Sequence, residues 1–433
     1  MAKSTSEKEL LLINDYSENA SNYNQKKITK NKKVIEIFDI FKNFIIKKKL
    51  CVYGGTAVND ILPQNVQFYN KKIHLPDYDV FSQNALNDAK EIADIYFNLG
   101  YKSVEAKSSI YKKTYKIFVN YIPVADITQM DDKLFSAIQK NAIIKKDIHY
   151  VPANFLRMLF YIEFSRPRGY VSRWNKLLQR LNLLNKYYPL PKSNCDNYIF
   201  QKKINVEKEH TLYNEIKTIL INEKVVFIGD YAGTLLTQYL SKKMQQKPAN
   251  FLDFIVIAKN PKILENKIKD KINELTDHTV DKKIYKSIDT ILSDSIALFL
   301  NNKKFITIYK PLACHAYNNI TINNKIIRVG SIETLFNFYL AFLYAEPDNV
   351  RKIICFCNLL FKLRDKNKLA KTGLLNRISM KCYGKQITMH DMLAERNKLY
   401  HKYQKYNDPT YNKYFLKYIP KHKTTKHKTT KHK

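Results

Sequence analysis

The sequence predicts a mixed α/β protein in which one fold occurs twice. Short apolar runs alternate with helical stretches in the first half of the chain, and one such run ends at the paired glycines Gly54 and Gly55. Similar landmarks return in the same order about 180 residues further along the chain. Near-constant spacing over several landmarks predicts an internal duplication rather than chance similarity.

The composition predicts a folded protein with a polyanionic partner. The 433 residues are 45% hydrophobic, which is enough for two or three domains with their own cores. Lysine and arginine number 74 against 39 acidic residues, a formal charge of +35. Such an excess favours nucleic acid or an anionic membrane surface as partner. The mean hydropathy of −0.41 and the polar start of the chain predict no membrane-spanning helix and no secretory signal, so we expect nucleic acid.

The six cysteines are scattered, and their spacing predicts no disulfide framework. A reducing intracellular compartment fits this usage. Cys355 and Cys357 could form a zinc site with Cys382 and His390, but they lie in an apolar run. We therefore favour buried thiols on a helix.

The elements of the first half are predicted from their apolar periodicity. Residues 1–32 are polar and read as an arm. Apolar residues then recur every three or four positions over residues 33–48, which predicts a helix packed on the coming strand. The remaining predicted elements are a strand at 50–53, a helix at 86–99 ended by Gly100, and strands at 104–106, 115–121 and 124–127.

Two motifs in this half carry candidate chemistry. Glycines after a buried strand let the backbone approach a phosphate, so Gly54, Gly55 and the following Thr56 are candidate nucleotide contacts. Asp77 and Asp79 are two residues apart, which in a strand places both carboxylates on one face. With Asp126 from a later strand, they form an oxygen ligand set that suits two divalent ions and phosphoryl transfer.

This glycine pair, Asp-x-Asp strand and later aspartate resemble the polymerase-beta-type nucleotidyltransferase superfamily. With the rest of the chain, they are most similar to the poly(A) polymerase catalytic subunits of poxviruses and other large DNA viruses. The resemblance implies template-independent addition of AMP from ATP to RNA 3′ ends, with two Mg²⁺ or Mn²⁺ ions held by Asp77, Asp79 and Asp126. It also implies mRNA processing in the host cytoplasm or virion, and it raises the question of a separate processivity subunit or a homodimer.

One departure from the superfamily pattern is the long stretch between Gly55 and Asp77, which predicts an inserted loop at residues 63–76. Three other interpretations stay open. The chain could be a poly(U) or CCA-adding nucleotidyltransferase, or a non-catalytic RNA-binding scaffold. The motif could also be an exposed turn with two surface aspartates.

An arginine-rich block follows the first copy and contains candidate RNA contacts. Guanidinium groups bind phosphates, and aromatic faces stack on bases, so Arg157, Arg166, Arg168 and Arg173 are candidate RNA or phosphate ligands beside Tyr170. The alternative is a solvated basic helix face with Trp174 in the core. The two prolines at 189 and 191 predict a domain boundary.

The second copy is predicted to have lost its site. We align residues 224–234 with the strand and glycine turn, which puts Ala232 where the first glycine stands. The three carboxylate positions then become Asp253, Ile255 and Cys314. A single carboxylate cannot hold two ions, so this copy is predicted to be a scaffold or binding surface.

The predicted organisation has five parts. They are a polar arm (1–32), a catalytic nucleotidyltransferase domain with a helical extension (33–188), a linker (189–210), a degenerate nucleotidyltransferase-like domain (211–405) and a basic low-complexity tail (406–433).

Overall fold

The computed structural model describes residues 4–70, 73–191, 195, 207–240, 253–367, 378–405 and 410–421. The chain forms two compact units. The first comprises residues 1–152 and 389–433, and the second comprises residues 153–388.

The first unit begins with two helices, α1 (Thr5–Thr29) and α2 (Lys32–Lys48). The segment predicted as a polar arm is therefore mostly helical. The helix α1 starts at a capping box between Ser4 and Glu7, and its apolar side chains such as Leu12 and Tyr16 are exposed. In contrast, α2 buries one stripe that includes Phe41 and Ile45, as the periodicity predicted.

The first sheet has eight strands and positions the candidate site. Its strands are β1 (Cys51–Tyr53), β2 (Tyr78–Ser82), β3 (Val104–Ser108), β4 (Thr114–Val119), β5 (Ile122–Gln129), β6 (Ile143–Lys145), β7 (Ile148–Tyr150) and β16 (Lys417–Tyr418). They are ordered β16-β3-β4-β5-β2-β1-β7-β6. The helices between them are α3 (Gly54–Ile61), a short 3-10 helix (Gln64–Val66), α4 (Ala85–Asn98) and α5 (Asp132–Lys140).

One face of this sheet is covered by helices, and the other carries the site. Residues such as Ile117 and Val80 point towards α2 and α4 and are fully buried, whereas the alternate residues of the same strands remain partly exposed. The hydroxyl of Tyr96 on α4 donates to the carbonyl of Ile37 on α2 at 2.6 Å, which ties the two helices together.

The C-terminal region completes the first unit. Helix α13 (Met389–Lys405) and helix α14 (Tyr411–Phe415) lead into β16, which pairs antiparallel with β3 at the sheet edge. The prediction of a tail from residue 406 is therefore wrong for residues 410–421. Residues 422–433, with their Lys-His-Lys-Thr-Thr repeats, lie outside the described residues.

The second unit contains the second sheet and the helices around it. Its elements are α6 (Ala153–Phe164), α7 (Trp174–Tyr187), α8 (Glu207–Asn222), β8 (Val226–Phe227), α9 (Asp230–Thr237), β9 (Phe254–Ile257), α10 (Pro261–Leu275), β10 (Val280–Tyr285), β11 (Ser295–Leu300), β12 (Lys303–Tyr309), β13 (His315–Ile322), β14 (Lys325–Gly330), α11 (Ile332–Ala345), α12 (Val350–Asn367) and β15 (Cys382–Tyr383). Short 3-10 helices lie at Val171–Arg173 and Pro347–Asn349.

The predicted duplication is confirmed by the topology of the two sheets. The second sheet is ordered β10-β11-β12-β9-β8-β14-β13-β15. Its first seven strands correspond, in this order, to β3-β4-β5-β2-β1-β7-β6 of the first sheet. Each pair of neighbouring strands is parallel or antiparallel in the same way in both sheets. The pairs β2–β5 and β9–β12 are both parallel within otherwise mostly antiparallel sheets. The fold is therefore a duplicated mixed α/β unit.

The unit boundary differs from the one that the sequence predicts. The helical extension at 153–187 belongs to the second unit rather than to the catalytic domain, and α13 belongs to the first unit. Helices α6 and α11 pack against each other, with Tyr161 stacked on Phe336 at 4.3 Å between ring centroids. This apolar contact joins α6 to the second core. The predicted linker lies largely outside the described residues.

The prediction of no disulfides is wrong. Cys195 is bonded to Cys355, and Cys314 is bonded to Cys382. The partners are far apart in sequence, and only the folded chain brings them together. Because Cys355 is already bonded, it is not free to ligate zinc, while Cys357 is a buried thiol on α12. Among the described helices, none combines the length and hydropathy needed to span a membrane.

Candidate active site

The turn from β1 into α3 is built around Gly54. Its φ of 74° lies in the left-handed region, and a Cβ atom there would overlap the Asp79 carboxylate. The glycine therefore allows the backbone to lie directly against this aspartate. Gly55 follows within the first turn of α3, so the predicted glycine pair is placed beside the predicted carboxylates.

Thr56 has a different role from the predicted nucleotide contact. Its side chain is buried, and its hydroxyl donates to the carbonyl of Asp77 at 2.7 Å. The amide of Asp77 lies 3.3 Å from the same oxygen. Thr56 therefore fixes the end of the 63–76 loop to α3 and positions Asp77.

The three predicted aspartates lie on or beside neighbouring parallel strands. Asp79 on β2 is directly opposite Asp126 on β5, and adjacent strands lie about 4.8 Å apart. Asp77 precedes β2 by one residue rather than lying within it, and its side chain is exposed. Asp79 and Asp126 are half-buried on the face that the helices leave open.

Tyr53 lies near the three carboxylates and was not predicted as a site residue from the sequence. Tyr53 is on β1, directly opposite Asp79 on β2. Its ring stacks on the ring of Phe81, with 3.8 Å between the ring centroids. Burial raises the pKa of its hydroxyl, and the charges of Asp79, Asp126 and Asp77 raise it further. The hydroxyl lies 3.1 Å from the Thr128 hydroxyl. Tyr53, which is half-buried, is therefore close enough to be influenced by the negative charges of all three carboxylates.

Lys116 is the second residue that the sequence did not reveal. Lys116 is on β4, directly opposite Asp126 on β5. Its ammonium donates to both carboxylate oxygens of Asp126, at 2.8 and 2.7 Å. The two side chains are 40% and 27% exposed, so their ion pair stabilises the fold by no more than about 1 kcal/mol. A ligand that offers a stronger positive charge can therefore displace the ammonium.

The donor set suits a divalent cation in its chemistry. In the described part of the chain, no three carboxylate, histidine or cysteine side chains stand close enough together to hold a metal ion as they are. At this site the ammonium of Lys116 contacts both carboxylate oxygens of Asp126. Three carboxylates beside a backbone turn are nevertheless the hard oxygen ligands that Mg²⁺ prefers.

The second copy keeps the turn glycine and one aspartate but replaces the two facing aspartates of the strands. Gly229 takes the place of Gly54, because a Cβ atom on Gly229 would overlap Ile255 as one on Gly54 would overlap Asp79. Ile255 is opposite Thr307, in the register that Asp79 and Asp126 share. The prediction that Cys314 replaces Asp126 is therefore wrong, as is the alignment of Ala232 with the first glycine. Only Asp253, which precedes β9, keeps a carboxylate.

A buried ion pair occupies the turn of the second copy. Asp230, which follows Gly229, is 5% exposed and lies 2.5 Å from the ammonium of Lys352 on α12. It also accepts a hydrogen bond from the Tyr339 hydroxyl at 3.0 Å. Burial by itself lowers the pKa of Lys352, but the charge of Asp230 and the hydrogen bond to it raise that pKa overall. In the second copy, the charge of the Asp230 carboxylate is thus balanced by Lys352 of the same unit.

The four predicted RNA-binding arginines all lie in the second unit and differ in exposure. The prediction for Arg157 is wrong, because its guanidinium is fully buried and donates to Asn185, Asn154 and the carbonyl of Tyr188. Burial lowers its pKa to about 10. Arg166 is largely enclosed, and burial lowers its pKa too. Arg168 and Arg173 are exposed, and RNA binding by them stays a prediction.

The fold occurs twice in the chain, and its first copy brings the three aspartates and the glycine turn together. Residues 39–169 match the family model of the poly(A) polymerase catalytic subunit, a segment that contains all three aspartates and the glycine turn. The resemblance that the sequence predicted is confirmed for this segment of the chain.

Curated viral relatives and one solved structure resemble the chain. A protein described as a poly(A) polymerase catalytic subunit of African swine fever virus (isolate Pig/Kenya/KEN-50/1950) is 33% identical over 37% of this chain and 36% of its own length. One from Acanthamoeba polyphaga mimivirus is 28% identical over 45% of this chain and 32% of its own length. The matches thus span about a third of these relatives. The crystal structure of the Megavirus polyadenylate synthase superposes with a TM-score of 0.78 at 18% identity, over 96% of this chain and 86% of that one, and shows the shared fold.

Proposed function

We propose that this chain is a template-independent polynucleotide adenylyltransferase, which adds AMP from ATP to RNA 3′ ends. The observation that carries the proposal is the placement of Asp79 opposite Asp126 on parallel strands, with Asp77 and the Gly54 turn beside them. The family of the 39–169 segment supports the reaction class, and the charge of +35 supports a polyanionic substrate.

The carboxylates of Asp77, Asp79 and Asp126 would hold the divalent cations, two Mg²⁺ or Mn²⁺ ions. Such ions lower the pKa of a bound hydroxyl and neutralise charge on attacking and leaving oxygens. For Asp126 to serve as a ligand, the ammonium of Lys116 has to withdraw, and its partial exposure leaves room for that movement.

In the reaction, the 3′ oxygen of the RNA forms a bond to the α-phosphorus of ATP while the bond to the β-phosphate breaks. Pyrophosphate leaves, and the RNA gains one AMP. Asp126 would accept the proton of the 3′ hydroxyl. The backbone at Gly54 and Gly55 binds the triphosphate, since its amides lie at the start of α3 beside Asp79.

A primer-extension assay tests this function. Purified protein, an oligo(A) RNA primer and Mg²⁺ are offered each of the four nucleoside triphosphates separately, beside the Asp77→Ala/Asp79→Ala variant. We expect a long ladder with ATP alone and none with the variant. Equal extension with UTP, or a short product of fixed length, would instead identify a poly(U) or CCA-adding enzyme. Tight RNA binding without any extension would favour a non-catalytic scaffold.

The same proposal includes the partners and location of the protein. We place it inside the infected host cell, in the cytoplasm or the virion, which the viral origin of its relatives supports. As partners for processive synthesis we propose either a second copy of the chain or a separate subunit. Light scattering of the purified chain at micromolar concentration distinguishes these two: a dimer favours self-association, and a monomer favours a separate subunit.

A further inference from the structure

The register of the first sheet creates a continuous row of side chains across its open face. Reading along neighbouring strands, Asp79 is opposite Asp126, Asp126 is opposite Lys116, Lys116 is opposite Lys107, and Lys107 is opposite Lys417. Directly opposed residues point to the same face of a sheet. Three lysines therefore extend from the carboxylates to the sheet edge. We call Lys116, Lys107 and Lys417 the lysine row.

The contacts of Tyr418 show which face the row occupies. The Tyr418 hydroxyl donates to Asp94 on α4 at 2.7 Å, and Lys90 of the same helix lies over its ring. Tyr418 therefore faces the helices, and its neighbour Lys417 points the opposite way and is exposed. Lys107, 43% exposed, lies on the same open face.

The adjacent lysines of this row lower the stability of the folded sheet. Like charges directly opposite each other in a sheet are destabilising, and Lys107 has a lysine on both neighbouring strands. Among the described residues, two carboxylates pair with the row, and one is Glu105, whose Oε2 lies 3.1 Å from the Lys107 ammonium. The other is Asp126, which is needed for catalysis. When Asp126 binds cations, the row carries a net positive charge.

We propose that the lysine row binds the backbone phosphates of the RNA substrate next to its 3′ end. The proposal rests on the function proposed above and names the substrate-binding surface of that site. Asp126, the carboxylate placed to receive the 3′ hydroxyl, lies next to Lys116, so the row begins where the RNA ends. Three strand spacings separate Asp126 from Lys417, about 14 Å, which is long enough for the last few nucleotides.

The position of the lysine row relative to the Gly54 turn indicates that the lysines bind RNA rather than ATP. The Gly54 turn lies on the β1 side of the carboxylates, and the lysines lie on the β4 side. The triphosphate and the RNA backbone are thus bound on opposite sides of Asp79 and Asp126. The ring of Phe118 on β4, 4.2 Å from the Lys107 ammonium, adds a half-exposed aromatic surface for a base beside the phosphates.

The experiment compares the double variant Lys107→Gln/Lys417→Gln with a charge-matched control. The control is Lys47→Gln/Lys133→Gln, since both lysines are exposed on helices α2 and α5. Binding of a fluorescent oligo(A) RNA is followed by anisotropy as a function of salt, without nucleotide or divalent cation. Michaelis constants for RNA and for ATP are then measured by primer extension.

We expect the double variant to bind RNA at least fivefold more weakly than the control. Its slope of log affinity against log salt should fall by about 1.4, since each lost phosphate contact on a single strand contributes about 0.7. The KM for RNA should rise by a similar factor, and the KM for ATP should not.

Each other outcome is decisive. Equal salt slopes for the double variant and the control would overturn the proposal, and a rise in KM for ATP alone would assign the lysines to the triphosphate. If the wild-type protein extends no primer but the slope still falls, the lysine row stands and the polymerase function is wrong. If extension is strong and the slope is unchanged, the polymerase function stands and the lysine row is wrong.

Discussion

The two copies of the fold have the same strand order but differ in the exposure of their charged residues. In the first copy, Asp79, Asp126 and Lys116 lie half-exposed on the open face of the sheet. In the second copy, Asp230 is buried and held by Lys352 and Tyr339, while the strand positions carry Ile255 and Thr307. The charged groups of the first copy are therefore accessible to a ligand. The second copy pairs its buried carboxylate internally, because a buried charge without a partner destabilises the fold.

The largest expected effect comes from removing one carboxylate in each copy. Asp77→Asn should lower kcat by at least about 10³-fold, since it removes a ligand that acts on developing charge in the transition state. The matched variant Asp253→Asn, at the corresponding place before β9, should change kcat less than twofold. Primer-extension rates and melting temperatures of both proteins test this. Equal losses in the two variants would show that the second copy also takes part in catalysis.

The next effect concerns the two ion pairs, one in each copy. Lys352→Met should destabilise the protein by about 3 kcal/mol, because it leaves the buried Asp230 without its cation. Lys116→Met removes a partly exposed partner and should cost less than about 1 kcal/mol. Urea unfolding of both variants measures the difference. A larger loss of stability for Lys116→Met than for Lys352→Met would contradict the assignment of binding and scaffold roles.

The smallest expected effect is an acid sensitivity of the second unit. His315 on β13 is fully buried, and burial, with a contribution from Arg166, lowers its pKa to about 3. The unfolded chain binds a proton near pH 6.5, so the stability from neutral His315 is complete above that pH and is lost as the pH falls towards about 3. At pH 4.5 the loss is about 3 kcal/mol.

The variant His315→Leu should remove this part of the pH dependence between pH 6.5 and 4.5. His278→Leu is the control, since His278 is half-exposed in the same unit. Unfolding free energies at several pH values compare the two variants with the wild-type protein. An unchanged acid slope in His315→Leu would mean that other groups cause it.

The residues of the first site could be predicted because they follow from local patterns. A short apolar run before paired glycines, and two aspartates at strand spacing, are visible without knowledge of long-range contacts. Lys116 could not be found in this way. It is one of many lysines in the sequence, and only the pairing of β4 with β5 brings it to Asp126.

The errors in the second copy have the same origin. The resemblance of residues 309–314 to residues 121–126 suggested Cys314 as the counterpart of Asp126, but β12 ends at Tyr309, and the paired position is Thr307. Residues 121–126 therefore lie mainly within β5, whereas the similar residues 309–314 lie mainly beyond the end of β12. Arg157 was misjudged for a related reason, since a basic residue in a basic chain gives no sign that it is buried.

By itself, the sequence determined the duplicated α/β architecture, the glycine turn and the three aspartates, and it predicts a polyanionic partner. These depend on periodicity, spacing and charge, which are local or additive properties of the chain. The tertiary structure alone decided the strand register, the two disulfides, the pairing of Asp230 with Lys352 and the alignment of the lysine row. Contacts between strands and helices that are distant in sequence fix these features, and a shift of one residue in register would move every side chain of a strand to the other face.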